Sequence, residues 1–247
     1  GGAWLNSGTY VSGLGEVTFN STSSTVPQII HHNGQTFNRI SISGGTKKII
    51  LSDIVIGREI RFHHGIIESA GDAKVIFNPD AEIINASDIS HIHGVAYHSG
   101  SGHKLFPLGN GSVYLPVELP DVKDESALIG IRAFEFDNIS LSVTSSLQSI
   151  SNKRYWHIDV ESGSMPDSPV ILPLREESWS AATDKIVVVE SDSPNENFTS
   201  LGRWFFEGAA DLGRISSEFN VSKPFVSLAT EATEAELIVY NAVSSNS

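Results

Sequence analysis

Lys48-Ile49-Ile50-Leu51, Ile54-Val55-Ile56, Glu59-Ile60-Arg61-Phe62 and Gly65-Ile66-Ile67 follow one another with two residues between each run and the next. Every run is too short for a helix and rich in β-branched side chains, which pack well on a pleated surface. Outward from this stretch the style continues. Glu16-Val17-Thr18-Phe19 and Thr36-Phe37-Asn38-Arg39-Ile40-Ser41-Ile42 lie before it; Lys74-Val75-Ile76-Phe77 and Ala81-Glu82-Ile83-Ile84 lie after it. Ile40/Ile42 and Ile60/Phe62 alternate with polar residues, the period-2 sign of half-buried strands. Nothing here repeats every 3.6 residues over ten or more positions, so helix is excluded.

Runs of 3–5 residues separated by Gly, Asn, Ser and Asp suit the short faces of a β-solenoid, where each coil stacks on the one before and buries an inward column of Ile and Val. The pattern predicts one apolar core gathered from Val17/Phe19, Ile40/Ile42, Ile49/Leu51, Ile54/Ile56, Ile60/Phe62, Ile66, Ile76 and Ile83. The alternative is a meandering antiparallel sandwich, since short apolar runs do not by themselves distinguish the two.

A compositional break divides the chain. Residues 1–103 hold 6 bases, 8 acids, eight of the nine histidines and 16 of the 25 isoleucines, whereas residues 104–247 hold 10 bases and 21 acids. The boundary falls at Ser99-Gly100-Ser101-Gly102, a flexible joint by composition. Beyond it the alternating segments lengthen, as in Ser112–Leu119, Ala127–Phe134, Arg154–Val160 and Lys185–Val189. Their turns are rich in Pro, Asp, Ser and Asn, which predicts an antiparallel β-sandwich. The expected organisation is therefore all-β: a β-solenoid-like domain over 1–103, an acidic β-sandwich over 104–240, and a linker over 241–247.

Composition removes several functions. The 247 residues include no cysteine, which excludes thiolate catalysis, disulfide frameworks and cysteine-based zinc sites. With 29 acids against 16 bases the formal charge is −13, so the chain lacks the basic footprint that nucleic acid requires. No apolar run approaches the ~20 residues of a membrane span. Gly1 opens no signal peptide, and the sequence reads as an excised fragment.

Trp4-Leu5-Asn6-Ser7-Gly8-Thr9-Tyr10 and Gly13-Leu14-Gly15-Glu16-Val17-Thr18-Phe19-Asn20 resemble the W-x-N-x-G-x-F … G-x-G-x-V-x-F-N-G module of very large bacterial surface proteins. Phe106-Pro107-Leu108-Gly109-Asn110-Gly111 with Tyr114-Leu115-Pro116-Val117 resembles their F-P-x-G-x-G … Y-x-P-x junction, and Arg154-Tyr155-Trp156-His157-Ile158 the strand that follows it. Glu236–Asn246 is similar to the start of a gliding-motility-associated C-terminal sorting domain, although Ser245 stands where proline is usual. The family is that of cell-surface proteins exported by the type IX secretion system, including gliding adhesins of the SprB kind. The resemblance implies a non-enzymatic, secreted, outer-membrane-associated stalk or adhesion segment. It also implies two partners, the type IX translocon and an outer-membrane barrel protein of the SprF/PorP kind. Leu237, Val239, Tyr240, Asn241 and Val243 are then the residues nearest that barrel, although Leu237–Tyr240 reads first as the last strand of the sandwich, with the linker beginning at Asn241.

Other chemistry is weakly signalled. His91 and His93 have a ligand-like spacing on one strand, and His32 and His64 would approach if they occupied equivalent coil positions. Asp192 and Asn195 belong to an oxygen-rich loop of the kind calcium takes, without the spacing of an EF-hand. Surface or turn roles are the default for all of these, and no cofactor is expected. The first-half acids fall mostly one per turn, which gives little ground for a polysaccharide hydrolase or lyase. Among the tryptophans, Trp156 reads as core. Trp179, between two serines, reads as an exposed platform for a surface glycan, the mark of the alternative glycan-binding function.

Overall fold

The computed structural model describes residues 2–135, 144–175, 185–208 and 212–232. Eleven short strands make the first part: β1 (Trp4–Leu5), β2 (Glu16–Phe19), β3 (Gln28–His31), β4 (Thr36–Ile42), β5 (Lys48–Ile50), β6 (Ile54–Phe62), β7 (Ile67–Ser69), β8 (Val75–Phe77), β9 (Glu82–Ile84), β10 (Ile92–His93) and β11 (Ala96–Ser99). The chain alternates between two parallel sheets, ordered β1-β3-β5-β7-β10 and β2-β4-β6-β8-β11, and so winds about four turns of β-solenoid. The registers give the inward columns directly. Val17, Ile40, Ile60 and Ile83 pair in succession, as do Phe37, Ile56, Phe77 and His98.

One apolar cluster gathers these columns, with Phe19, Ile40, Ile42, Ile54, Ile56, Ile60 and Phe62 all buried. Three runs sit in the opposite phase to that expected. Ile50 is buried while Ile49 is half-buried and Leu51 is 49% exposed; Ile67 replaces Ile66, and Val75 and Phe77 replace Ile76. The cause is local. A run of consecutive apolar residues carries no phase, and a one-residue shift exchanges the faces. In β5 that phase turns Lys48 inward, where its ammonium donates to the carbonyls of Ser43 (2.5 Å) and Thr46 (2.6 Å). A Cβ on Gly65 would lie 2.9 Å from Lys48 Nζ, so the bare glycine leaves room for the amine.

Thirteen further strands follow: β12 (Gly102–Phe106), β13 (Gly109–Asn110), β14 (Val113–Tyr114), β15 (Val117–Val122), β16 (Leu128–Glu135), β17 (Leu147–Ile150), β18 (Arg154–Ser162), β19 (Ile171–Pro173), β20 (Ile186–Ser191), β21 (Thr199–Ser200), β22 (Phe205–Glu207), β23 (Arg214–Ser216) and β24 (Phe225–Glu231). All their mutual pairings are antiparallel. One sheet runs β12-β15-β19-β23-β22. The other strands of the main array, β16-β18-β24-β20-β21, are not separate from the solenoid: β16 hydrogen-bonds to β11 and extends its sheet to twelve strands. Apolar residues of both antiparallel sheets, among them Phe106, Val117, Leu172 and Ile215 on one and Ile131, Ile158, Val188 and Leu228 on the other, belong to the same cluster as the coils.

Parallel pairing thus gives way to antiparallel at β11, close to the compositional break. Ser99-Gly100-Ser101-Gly102 is a built corner there. Gly100 and Gly102 adopt φ of 75° and 89°, and Gly100 N–H donates to the Ala127 carbonyl at 2.8 Å. The turn lets the chain leave the long sheet and open the second one. No α-helix occurs among the described residues, and none of their segments is a helix long and apolar enough to cross a membrane.

Candidate functional site

The outer face of the long sheet carries a concave polar surface built by both parts of the chain. A single cross-strand column runs Thr36, Val55, Ile76, Tyr97, Gly130, Asp159 over strands β4, β6, β8, β11, β16 and β18. Residues paired directly across a ladder share a face. Gly130 leaves a gap in that face, and the Tyr97 ring lies over it. A Cβ on Gly130 would sit 2.5 Å from Tyr97 Cε1 and 2.6 Å from Cζ. Across the gap, the Tyr97 hydroxyl donates to Asp159 Oδ2 at 2.5 Å.

Lys74, just before β8, closes the other side. Its ammonium lies 4.9 Å from the Tyr97 ring centroid and 2.5 Å from Glu161 Oε2. That hydrogen bond raises the lysine above its ordinary range, while burial, and then the bond to Asp159, raise the Tyr97 phenol so that it stays a neutral donor. Around this core lies a cleft of about 400 Å³ lined by Ser69, Asp72, Lys74, His93, Tyr97, Arg132 and Asp159, with the glycine backbones of Gly71 and Gly94. Arg132 rests its guanidinium 4.9 Å from the Phe134 ring centroid, and Phe134 in turn stacks on Tyr155 at 5.1 Å.

The histidines expected as a set are dispersed. His91 is fully buried, its Nδ1 3.0 Å from the Ser87 carbonyl, against a glycine (Gly109) whose Cβ would fall 2.3 Å from its ring. His93 faces Glu68 at 3.5 Å, so the two do not converge. Nor do His32 and His64. The register sets Ile30 opposite Ile50, so His32 corresponds to Ser52, whose hydroxyl accepts its N–H. His32 instead stacks on Phe37 at 3.7 Å and accepts from Trp4 Nε1 at 3.1 Å, in a plug with Tyr10 and Phe19 that closes the first coil. Among the described residues no three His, Asp or Glu side chains are grouped to hold a metal ion. Asp192 pairs with Lys223 at 3.0 Å, and the backbone N–H of Asn195 donates to Ser193.

Trp156 is fully buried, and the tryptophan exposed among the described residues is Trp204, at 76%. Trp179, Leu237, Val239, Tyr240, Asn241 and Val243 lie outside the described residues. Of the cleft residues, the sequence singles out His93, as a candidate metal ligand, and places Asp72 only among the first-half acids spaced about one per turn. One signal was present: Gly130 is an isolated glycine inside an alternating strand, a pattern that marks close approach of another group. Comparison with family models, with curated proteins and with solved structures gave no match.

Proposed function

We propose that this chain is a non-enzymatic segment of a secreted bacterial surface adhesin, a stiff unit leading toward a C-terminal secretion and anchoring signal. The observation that carries the reading is mechanical. One hydrogen-bonded sheet runs without interruption from β2 to β21, and one apolar cluster takes in residues of the coils and of both antiparallel sheets, so the two parts form a single continuous body. A jointed pair of domains would bend at the corner instead. In this reading the two antiparallel sheets are the layers of a β-sandwich, and the acidic second part faces the anchoring end. The sequence motifs of the type IX surface proteins support export by that route and retention by a barrel protein of the SprF/PorP kind.

The test has two parts. In a producing bacterium with a type IX system, the parent protein should be open to added protease on intact cells and protected when the translocon is disabled. A location inside the envelope in wild-type cells would end the adhesin reading. A pull-down then compares fragments ending before Glu236 and beyond Ser247 for retention of the barrel protein. Equal retention would move recognition from the C-terminal segment into the body of the protein.

A second reading, a glycan-binding module, is favoured by the polar cleft beside Tyr97. Its cavity falls within the ~300–1,000 Å³ typical of small-molecule sites. The two readings are compatible, since an adhesin needs a surface that holds something.

A further inference from the structure

The ligand class of the cleft follows from which of its charges are already engaged. Lys74 is held by Glu161, and Asp159 accepts from Tyr97, so both are fixed in position while keeping spare hydrogen-bonding capacity. Arg132 and Asp72 are exposed, and their side chains make no hydrogen bond or ion pair among the described residues. Arg132 has one face directed at Phe134, which leaves the N–H edge of its fork open. The lining therefore offers two carboxylates and two cations, balanced in formal charge.

That balance selects against most ligands. An anion would gain Arg132 but meet Asp72 and Asp159, on a chain of net charge −13. A cation would meet Lys74 and Arg132. An apolar ligand would strip water from four charged groups with nothing in return. A metal ion lacks a ligand set here. A neutral, hydroxyl-rich molecule avoids each penalty, because every hydroxyl both donates and accepts. Neighbouring hydroxyls can donate to Asp72 and Asp159 while their oxygens accept from Arg132 and Lys74, and charge-assisted bonds of this kind are the strong ones.

We propose that the cleft between β8, β11, β16 and β18 binds a neutral saccharide. The proposal rests on the surface-adhesin reading for its biological sense, but binding is measured on the isolated chain, so either can fail alone. The full chain is titrated by NMR and calorimetry with neutral di- and trisaccharides of gluco-, galacto-, manno- and xylo-configuration, alongside a galacturonate dimer and a glucosamine dimer. At least one neutral sugar should bind, with shifts centred on Tyr97, Gly130 and Arg132. Asp72→Asn and Arg132→Gln should each weaken it about tenfold, the cost of losing a charge-assisted hydrogen bond. Both positions are exposed, so the melting temperature should hold and keep folding out of the comparison. Affinity should change less than about twofold between roughly 0.02 and 0.3 M salt, since no net charge is neutralised. Any of three results overturns the proposal: no neutral sugar bound, tighter and salt-sensitive binding of the galacturonate or glucosamine dimer, or undiminished binding in both variants.

Discussion

Replacing Gly130 by alanine tests whether the Tyr97–Asp159 link is built into the sheet. Gly130 lies within β16 and does not have the left-handed backbone that would itself penalise a side chain. The added methyl meets Cε1, Cζ and Cδ1 of Tyr97 at 2.5, 2.6 and 2.9 Å, all of them ring atoms. The ring must therefore swing away, breaking the 2.5 Å bond to Asp159 and drawing the phenyl face from under Lys74. Losing a hydrogen bond to a charged group costs about 1.5–3 kcal/mol, and displacing a packed ring adds about 1–3 kcal/mol. Against this, alanine restrains the unfolded chain more than glycine does, worth about 0.4–1 kcal/mol in its favour. The net is a loss of about 1.5–5.5 kcal/mol, read as a lower urea midpoint at unchanged slope. A double-mutant cycle supplies the control. With Tyr97→Ala in place the obstacle is gone, and Gly130→Ala should become neutral or slightly stabilising. Equal destabilisation by Gly130→Ala in both backgrounds would refute the reasoning, because the cost would then lie in the strand and not in the ring.

Burial lowers Lys48 from 10.5 to about 8, so between those values the unfolded chain holds more protons and stability rises with pH. Lys48→Met should remove that rise, and parallel pH–stability curves for the two proteins would contradict it. His98 is lowered by burial from 6.5 to about 3, so the stability it contributes is present above 6.5 and is lost as pH falls toward 3. His98→Leu should flatten the acid limb over that window in melts followed by circular dichroism; an unchanged slope would show that His98 is not the group responsible. Trp156→Ala empties a fully buried site and should cost about 3–5 kcal/mol, while Trp204→Ala should stay within about 0.5 kcal/mol. Chemical denaturation of both variants checks the pair, and similar losses would mean Trp204 packs more tightly than its exposure implies.

The solenoid was legible because coil faces and corners leave separate marks: β-branched runs at one spacing and turn residues at another. Phase was not legible where a run is uniformly apolar. Ile49, Ile50 and Leu51 are nearly equal as core formers, and the neighbouring coil decides among them by pairing Ile30 with Ile50. The aromatic plug shows the same division. Trp4, Tyr10 and Phe37 are conspicuous in the sequence, but their meeting at His32 needs the coil register. The cleft was the least legible part, because Tyr97 and Asp159 are 62 residues apart and meet only through β16. Gly130 marks locally that something approaches, but which residues meet there is fixed by three strands and not by any local pattern.

The corner at Gly100 and Gly102 explains why the cleft occurs where it does. A parallel solenoid leaves its last coil with an unpaired edge, which would invite association with other chains. Here β11 passes that edge to β16, which runs the opposite way and covers it. Reversing strand direction brings residues from a distant part of the chain into line with the coil columns, so Gly130 and Asp159 continue the row that began at Thr36. The same event that seals the edge therefore sets a tyrosine from the last coil beside a carboxylate from the antiparallel strands. Lys74 from the preceding coil then bridges the seam through Glu161. A site so made depends on both parts of the chain at once. Shifting β16 by one residue against β11 would turn Gly130 inward and remove the gap that Tyr97 fills.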